Sequence, residues 1–254
     1  MMLPHSFLRA PVAHRAYHDP TQGRIENSPA AIDAAIAAGY AIEVDVQLSR
    51  DGRAIVFHDY DLDRLTDETG PLRYRDAEAL GRIGLSGGND TIPTLSQVLA
   101  QVAGRAPLLV EIKDQDGTLG PAVGRLEQAV ADELAGYSGD LAVMSFNPNS
   151  VRVFGGMAPH VPRGLVTCGF ATEHWAPVPR QRLERLAEIP DFDAAGACFI
   201  SHHMAELDAP PVARLKSRGV PVLCWTVRSP AQETVARQVA DNITFEGYAA
   251  EIPA

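Results

Sequence analysis

The feature that most constrains the fold is a series of eight short apolar runs, separated by longer segments that carry helical patterns. Strands that alternate with helices form parallel sheets, because each connection has to cross back over the sheet. Eight such units make a closed barrel, and 254 residues is the size of one barrel. The sequence therefore predicts an α/β chain folded as a TIM-type (β/α)8 barrel. The predicted strands are residues 10–15, 41–48, 107–113, 141–146, 164–167, 197–201, 220–227 and 242–246.

Helix signals lie between the runs. The first predicted helix begins after Ser28, has Pro29 at its first position and ends at Gly39, which is the usual arrangement of capping residue, proline and glycine. Four more helices are predicted at residues 120–136, 179–188, 210–218 and 230–240.

The segment at about 60–104 interrupts this alternation. It contains a glycine-rich loop and a helix that begins at Thr94, where Gln97 completes a capping box. We predict one barrel domain over residues 1–254, with a small insertion at about 60–104 after a hairpin that follows strand 2.

That hairpin is predicted by Asp51 and Gly52, a pair that favours a two-residue turn. Such a turn would place Asp45 opposite His58, and side chains two apart on a strand share a face, so Glu43 joins them. Two carboxylates beside an imidazole are costly to bury without a partner, whereas their oxygens suit Mg²⁺ or Ca²⁺. The alternative is a surface strand whose polar face is in water.

Polar residues also follow other predicted strands, at the ends where barrel enzymes place their chemistry. Strand 1 ends in His14 and Arg15, and strand 3 carries Glu111 and Lys113 on one face of an apolar run. Trp225 lies near the end of strand 7. This pattern predicts a polar cavity at the barrel mouth, and a surface ion pair between Glu111 and Lys113 is the alternative.

Charge limits the partners. The formal net charge of −10 disfavours nucleic acid and anionic membrane surfaces, which both repel an acidic protein. The sequence has no apolar run long enough to span a membrane and no basic start followed by an apolar core at the N-terminus. We therefore expect a cytoplasmic protein with a small-molecule substrate and no integral membrane association, in an oligomeric state that the sequence leaves open.

Several short motifs recur together in one known family, in the same order. They are His14 with Arg15, Glu26 to Ser28, Glu43 to Val46, Asp51 with Gly52, His58 with Asp59, Ile92 to Leu95, Glu111 to Lys113, and Trp225 to Val227. By these residues the chain resembles the glycerophosphodiester phosphodiesterases of the phosphatidylinositol-phospholipase-C-like barrel group. The motifs are weak one by one but specific as a set, and they span most of the chain.

The resemblance implies metal-dependent hydrolysis of glycerophosphodiesters to glycerol 3-phosphate and an alcohol. Its implied metal ligands are Glu43, Asp45 and Glu111, for one divalent cation, Mg²⁺ or Ca²⁺. His14 and His58 would be the acid–base pair, Arg15 and Lys113 would bind the phosphate, and Trp225 would line the pocket.

The chain departs from the family pattern in three places, one of which is the loop at residues 17–25, longer than the usual link to the motif that begins at Glu26. Ala16 follows Arg15 where a glycine is usual, and the last strand ends at Glu246 where an aspartate is commoner, with no role predicted for it. The roles of His18, His202 and His203 are also left open, although a loop position in solvent is expected for the last two.

Two other functions are compatible with these residues. A lysophospholipase D-type activity in the same barrel would need an apolar rim for an acyl chain, and the predicted insertion is not conspicuously apolar. A non-catalytic glycerophosphate-binding barrel would be expected to have lost some acidic or histidine residues, whereas all are present. The identity of the alcohol and the division of labour between the two histidines stay open.

Overall fold

The computed structural model describes residues 1–253. Its strands form one sheet, in which β1 pairs with β9 on one side and β2 on the other, and this closes eight parallel strands into the predicted barrel. The ninth strand, β3, pairs antiparallel with β2. In chain order the strands are β1 (Val12–Ala13), β2 (Ala41–Leu48), β3 (Ala54–Val56), β4 (Leu108–Ile112), β5 (Leu141–Ser145), β6 (Arg163–Thr167), β7 (Phe199–His203), β8 (Val222–Val227) and β9 (Asn242–Phe245).

Helices surround the barrel. They are α1 (Pro29–Ala38), α2 (Ala77–Leu80), α3 (Leu95–Val102), α4 (Arg125–Leu134), α5 (Pro148–Met157), α6 (Arg180–Ala187), α7 (Pro210–Ser217) and α8 (Pro230–Ala236). The predicted ends of α1 are confirmed: the Ser28 hydroxyl accepts the Ala31 N–H, and Gly39 takes the left-handed conformation with φ of +78°. Within residues 1–253, no helix is both long and apolar enough to cross a membrane.

Strand parity separates the core into two parts. Ile42, Val44 and Val46 of β2 pack beneath the helices, whereas Ala41 on the other face belongs to a cluster inside the barrel, together with Leu109 of β4. Since side chains alternate along a strand, the residues that continue the Ala41 face point into the barrel. Beyond the apolar floor, that face carries the acidic residues of β2.

The hairpin after β2 has a different register from the predicted one. Its loop has three residues, and the Phe57 N–H donates to the Asp45 carbonyl, so Phe57 and not His58 lies opposite Asp45. The Ser49 hydroxyl explains the change, because it accepts the Arg53 N–H at 2.8 Å. Ser49, and not Arg50, therefore lies opposite Arg53. Gly52 follows with φ of +85°, the left-handed residue that such a three-residue loop requires.

The predicted insertion divides into two parts. Leu62, Leu72 and Leu80 form a small core of their own with Phe57, whereas α3 joins the main helical layer against α1. The capping box at Thr94 begins that helix as predicted. One helix was missed altogether, α5, in which Gly155 and its neighbour Gly156 lower the helical propensity.

The predicted helix at residues 120–136 is shorter than expected, since it begins at Arg125. Strand β7 runs two residues further than predicted, and this changes the surroundings of the histidine pair. His202 is only 1% exposed, so its predicted position in solvent is wrong. Its Nδ1 lies 2.8 Å from the Thr167 hydroxyl, and burial lowers its pKa to about 4. His203 is partly exposed and packs on Trp225, with ring centroids 5.2 Å apart.

Candidate active site

Three carboxylates meet inside the mouth of the barrel. Glu43 and Asp45 are two apart on β2, and Glu111 of β4 is the register partner of Asp45. One oxygen from each lies within 4.8 Å of the other two, and all three residues are buried. Because β2 and β4 are neighbouring parallel strands of the barrel, backbone hydrogen bonds fix this spacing.

The three carboxylates are in unequal electrostatic environments. Burial raises the pKa of Glu43 well above its ordinary value, and the charges of Asp45 and Glu111 add to this. Burial pushes the pKa of Asp45 in the same direction, but Lys113, His58 and Arg15 outweigh it and hold that pKa well below its ordinary value. One carboxylate of the cluster is therefore uncompensated by the protein's own cations.

One carboxylate oxygen of Glu43 has no hydrogen-bond partner among the described residues. Its Oε2 accepts the backbone N–H of Arg15 at 2.7 Å, whereas its Oε1 is buried with no hydrogen-bond partner in residues 1–253. A buried acceptor of this kind costs free energy unless something binds it. Three carboxylate oxygens are a donor set of the kind that Mg²⁺ and Ca²⁺ prefer, so the residues fit a hard divalent cation.

Two cations lie beside the carboxylates. Lys113 Nζ is 2.8 Å from Glu111 Oε1 and 3.4 Å from Asp45 Oδ1. Burial lowers the pKa of Lys113, but these two carboxylates raise it by more, so the ammonium keeps its charge. The alternative interpretation, a surface ion pair between Glu111 and Lys113, is thus excluded, because both side chains contact the buried cluster.

Arg15 occupies an unusual turn after β1. Arg15 and Ala16 both have positive φ, 51° and 64°, a region that favours glycine. This turn aims the Arg15 amide at Glu43, while the Arg15 guanidinium donates from one Nη to Glu26 at 2.8 Å. Its Nε is buried without a hydrogen-bond partner in residues 1–253 and lies 3.8 Å from Asp45 Oδ2, so the guanidinium places a positive charge beside the carboxylate cluster. Ala16 therefore adopts the backbone conformation for which glycine is usual.

His14 is held by a residue for which the sequence predicts no role. Its Nδ1 is 2.5 Å from Glu246 Oε2, and Arg228 Nε donates to the other oxygen of Glu246 at 2.8 Å. An ionised carboxylate can only accept, so Nδ1 carries the hydrogen and Nε2 is the ring atom left for other partners. Burial lowers the pKa of His14, and Glu246 opposes that effect.

His58 has the same arrangement of partners. Its Nδ1 lies 2.7 Å from Asp59 Oδ1, and Arg64 Nε donates to Asp59 Oδ2 at 2.5 Å. Arg64 also donates to Glu26, the partner of Arg15. Each histidine thus has a carboxylate on Nδ1 and an arginine behind that carboxylate, which fixes the tautomer and the ring orientation.

Trp225 forms part of an aromatic wall beside the mouth. Its indole N–H donates to the Ser201 carbonyl at 3.0 Å, and its ring meets Phe146 edge to face at 5.4 Å. The structure brings the eight predicted site residues to the same mouth of the barrel, and three of them, His58, Glu111 and Lys113, line one cavity. Sequence reasoning missed Asn27, whose amide donates to Asp45 at 3.0 Å, together with Glu246, Asp59 and Arg64. Asn27 stands in a motif that the sequence analysis singled out, so its position carried a signal.

Comparison with known proteins gives one family. The model of the glycerophosphoryl diester phosphodiesterase family matches residues 14–243. A glycerophosphodiester phosphodiesterase of Caldanaerobacter subterraneus subsp. tengcongensis is 30% identical over 244 residues, which cover 91% of each chain. A glycerophosphodiester phosphodiesterase of Bacillus altitudinis is 30% identical over 151 residues, 56% of this chain and 61% of that one.

Solved structures share the fold. A phosphodiesterase of Oleispira antarctica, in complex with the product sn-glycerol-3-phosphate, superposes with a TM-score of 0.75 at 24% identity and covers 96% of this chain and 95% of that one. A glycerophosphodiester phosphodiesterase of Parabacteroides distasonis superposes with a TM-score of 0.72 at 23% identity, over 93% and 92% of the two chains.

Proposed function

Because the chain belongs to the glycerophosphoryl diester phosphodiesterase family and is an enzyme of phosphodiester hydrolysis, we propose that it releases glycerol 3-phosphate and an alcohol by metal-dependent catalysis with two histidines. The observation that carries the proposal is the pairing of a buried three-carboxylate cluster with two histidines, each oriented through Nδ1 by its own carboxylate. The product complex of the Oleispira antarctica relative supports the same substrate class.

Glu43, Asp45 and Glu111 would hold one divalent cation, Mg²⁺ or Ca²⁺. When bound, the cation supplies positive charge that neutralises a non-bridging phosphate oxygen and acidifies a neighbouring hydroxyl, which lowers the barrier to attack on an anionic diester. The unpartnered Glu43 Oε1 supports this assignment, because a cation would satisfy it.

Arg15 and Lys113 would bind the phosphate. Both place a positive charge beside the carboxylate cluster, with Arg15 Nε 3.8 Å and Lys113 Nζ 3.4 Å from the carboxylate of Asp45. Trp225 would line the pocket with its ring, since its indole N–H is already bound to Ser201.

The histidine pair suits internal transfer. One histidine takes the proton of the glycerol 2-hydroxyl at Nε2, and that oxygen attacks phosphorus while the bond to the alcohol breaks. The other histidine donates its proton to the departing alkoxide, which leaves a cyclic glycerophosphate. Water then opens the ring with the two histidines in exchanged roles.

The proposal is tested with a substrate panel. The protein with Mg²⁺ or Ca²⁺ is incubated with several glycerophosphodiesters and with lysophosphatidylcholine, and both possible products, glycerol 3-phosphate and lysophosphatidate, are assayed before and after treatment with EDTA. We expect release from glycerophosphodiesters that EDTA abolishes and that added cation restores. Turnover of the lysophospholipid alone would favour the phospholipase D-type activity, and turnover of neither would favour a binding protein.

A substrate without the 2-hydroxyl tests the route. A phosphodiester of propane-1,3-diol keeps the groups that Arg15, Lys113 and the cation would contact, but it has no internal nucleophile. We expect it to inhibit competitively without being hydrolysed, and we expect cyclic glycerophosphate to form transiently from the parent substrate in ³¹P NMR spectra. Equal hydrolysis of the analogue and the parent would show that water attacks directly.

The role of Glu246 gives a pH prediction. Glu246 raises the pKa of His14 through its hydrogen bond and its charge, so Glu246→Gln should lower that pKa further. If His14 is the base, the acidic limb of the kcat/KM profile moves to lower pH, and kcat falls by roughly 10–100-fold because the ring loses its orienting partner. As a control, Arg228→Gln removes a positive charge and should not move the limb to lower pH. An unchanged profile for Glu246→Gln would contradict the role.

A further inference from the structure

The second feature of the barrel mouth is a cavity beside the carboxylate cluster. A cavity of about 580 Å³ extends outward from the carboxylate cluster, with Glu111, Lys113 and His58 at its inner end. Its outer part is lined by Tyr60, Phe146 and Trp175, and we call this outer part the aromatic pocket. Because the cavity is continuous with the cluster, a diester whose phosphate lies at Lys113 would extend one of its two substituents into the aromatic pocket.

The aromatic side chains pack against one another and form one wall of the pocket. The rings of Phe146 and Trp175 lie 5.0 Å apart and tilted, and Phe170 supports Trp175 from behind at 4.9 Å. Tyr60 stands at the other side of Gly117, with its hydroxyl bound to the Asp114 carbonyl at 2.6 Å. Gly117 lies between Tyr60 and Pro177 and has φ of +71°, a backbone conformation that favours glycine.

The charges around the pocket do not balance. Five carboxylates line the cavity against two permanent cations, Arg64 and Lys113. Both cations are occupied, Arg64 by Glu26 and Asp59, and Lys113 by Glu111 and Asp45. The other three carboxylates are those of Asp61, Asp63 and Asp114. They have no ion-pair partner in the part of the chain that the structure describes.

Aromatic rings together with carboxylates that have no ion-pair partner favour the binding of an organic cation. The face of an aromatic ring is negative, so it binds a cation, and an alkylated ammonium has no N–H groups that would lose their water acceptors on entering the pocket. An acyl chain would instead cover the carboxylates and remove their water, which is costly. A further phosphate would be repelled by the same three charges.

We propose that the aromatic pocket binds the alcohol half of the substrate and selects a quaternary ammonium alcohol of the choline type over uncharged alcohols. The inference rests on the proposed function, because it assigns the alcohol that the hydrolysis releases. It also places that alcohol beside His58, at the inner end of the cavity.

The test compares two substrates of the same shape. Glycerophosphocholine and the glycerophosphodiester of 3,3-dimethylbutanol differ in the positive charge, so the ratio of their kcat/KM values isolates it. We expect a preference of about tenfold for the choline diester in the wild-type protein, as cation–aromatic contacts in a partly desolvated pocket allow. Choline itself should inhibit hydrolysis of glycerophosphoglycerol competitively, and 3,3-dimethylbutanol should inhibit about tenfold less.

Variants of the pocket residues test whether the aromatic pocket causes the preference for the choline diester. Trp175→Ala should reduce the ratio towards one, and Asp61→Asn should reduce it severalfold, while both variants still hydrolyse glycerophosphoglycerol. Matched controls are Tyr74→Ala, an aromatic residue that is 61% exposed and outside the pocket, and Asp67→Asn, an exposed carboxylate that does not line it. Both controls should keep the wild-type ratio.

The outcomes separate this inference from the proposed function. If no glycerophosphodiester is hydrolysed, the proposed function fails. If both are hydrolysed with a ratio near one, or if Trp175→Ala leaves the ratio unchanged, the function stands and the choline pocket is wrong. Preferential hydrolysis of lysophosphatidylcholine that Trp175→Ala removes would show that the pocket holds an acyl chain, and this would also overturn the inference.

Discussion

Replacing Glu43 by glutamine should abolish turnover and metal binding while making the metal-free protein more stable. Glutamine has nearly the same shape but lacks the charge that a hard cation needs, and loss of such a ligand removes several kcal/mol of transition-state stabilisation, about 10³-fold or more in rate. In the metal-free protein the same charge is destabilising, because burial and the nearby carboxylates Asp45 and Glu111 disfavour it.

The sign of the stability change follows from the pKa of Glu43. A carboxyl whose pKa is raised by folding makes the folded protein lose stability as the pH rises from the ordinary pKa of the group to the raised one, because the unfolded chain releases the proton first. Metal-free wild-type protein should therefore lose stability as the pH rises through this range, whereas Glu43→Gln should not. At neutral pH the melting temperature of the variant should be higher, by about 2–4 °C for each kcal/mol of repulsion removed.

Melting curves with and without the cation measure both effects. In the wild type, Mg²⁺ or Ca²⁺ at about 100 times its dissociation constant should stabilise the fold by about 2.7 kcal/mol, and in Glu43→Gln that increase should vanish. Glu127→Gln is the matched control, because Glu127 is also buried but accepts the Gly124 N–H at the start of α4 and is not one of the three clustered carboxylates. A metal-induced shift that survives in Glu43→Gln would show that the cation binds elsewhere.

The fold could be predicted largely because apolar runs mark barrel strands. Strand β2 occupies the predicted residues 41–48, and its parity alone places Glu43 and Asp45 on the face that points into the barrel. Parallel pairing then brings Glu111 alongside, since neighbouring strands in a barrel end at the same mouth. The carboxylate cluster thus follows from the periodicity of two strands and from their order.

The remaining parts depend on side chains that are distant in sequence. Glu246 reaches His14 across 232 positions, and no local pattern predicts that contact. The hairpin register depends on one hydroxyl, that of Ser49, which competes with the backbone for a hydrogen bond. Helix α5 tolerates Gly155 because the Arg163 guanidinium packs against it, where a Cβ would lie 2.4 Å from Arg163 Nε. Such contacts arise only in the folded chain.

His58→Ala and His14→Ala should each reduce turnover of glycerophosphocholine by roughly 10²–10⁴-fold, the usual contribution of general acid–base catalysis. Both side chains lie at the mouth and are partly exposed, so their loss leaves the apolar core intact and both variants should melt close to the wild type. His160→Ala is the matched control, since His160 is exposed and lies outside this site.

A substrate with a p-nitrophenyl group in place of the alcohol distinguishes the two histidines. Nitrophenolate leaves without being protonated, so the variant that lacks the acid should recover most of its rate of release, whereas the variant that lacks the base should not. We expect recovery in His58→Ala, because the aromatic pocket places the departing alcohol beside His58. Recovery in His14→Ala instead would reverse the assignment, and recovery in neither would contradict an acid–base pair.

The opening of the cyclic phosphate, the second step of the reaction, gives a further test of His58→Ala. Opening the cyclic phosphate needs a base for water, and the exchange of roles assigns that task to the group that first acted as the acid. His58→Ala should therefore release nitrophenol quickly and then stall, so that cyclic glycerophosphate accumulates and can be followed by ³¹P NMR. A variant that releases nitrophenol and forms glycerol 3-phosphate at equal rates would mean that the ring never forms. In that case His58 would serve only the departing group, and the 2-hydroxyl of glycerol would be a binding group and not the nucleophile.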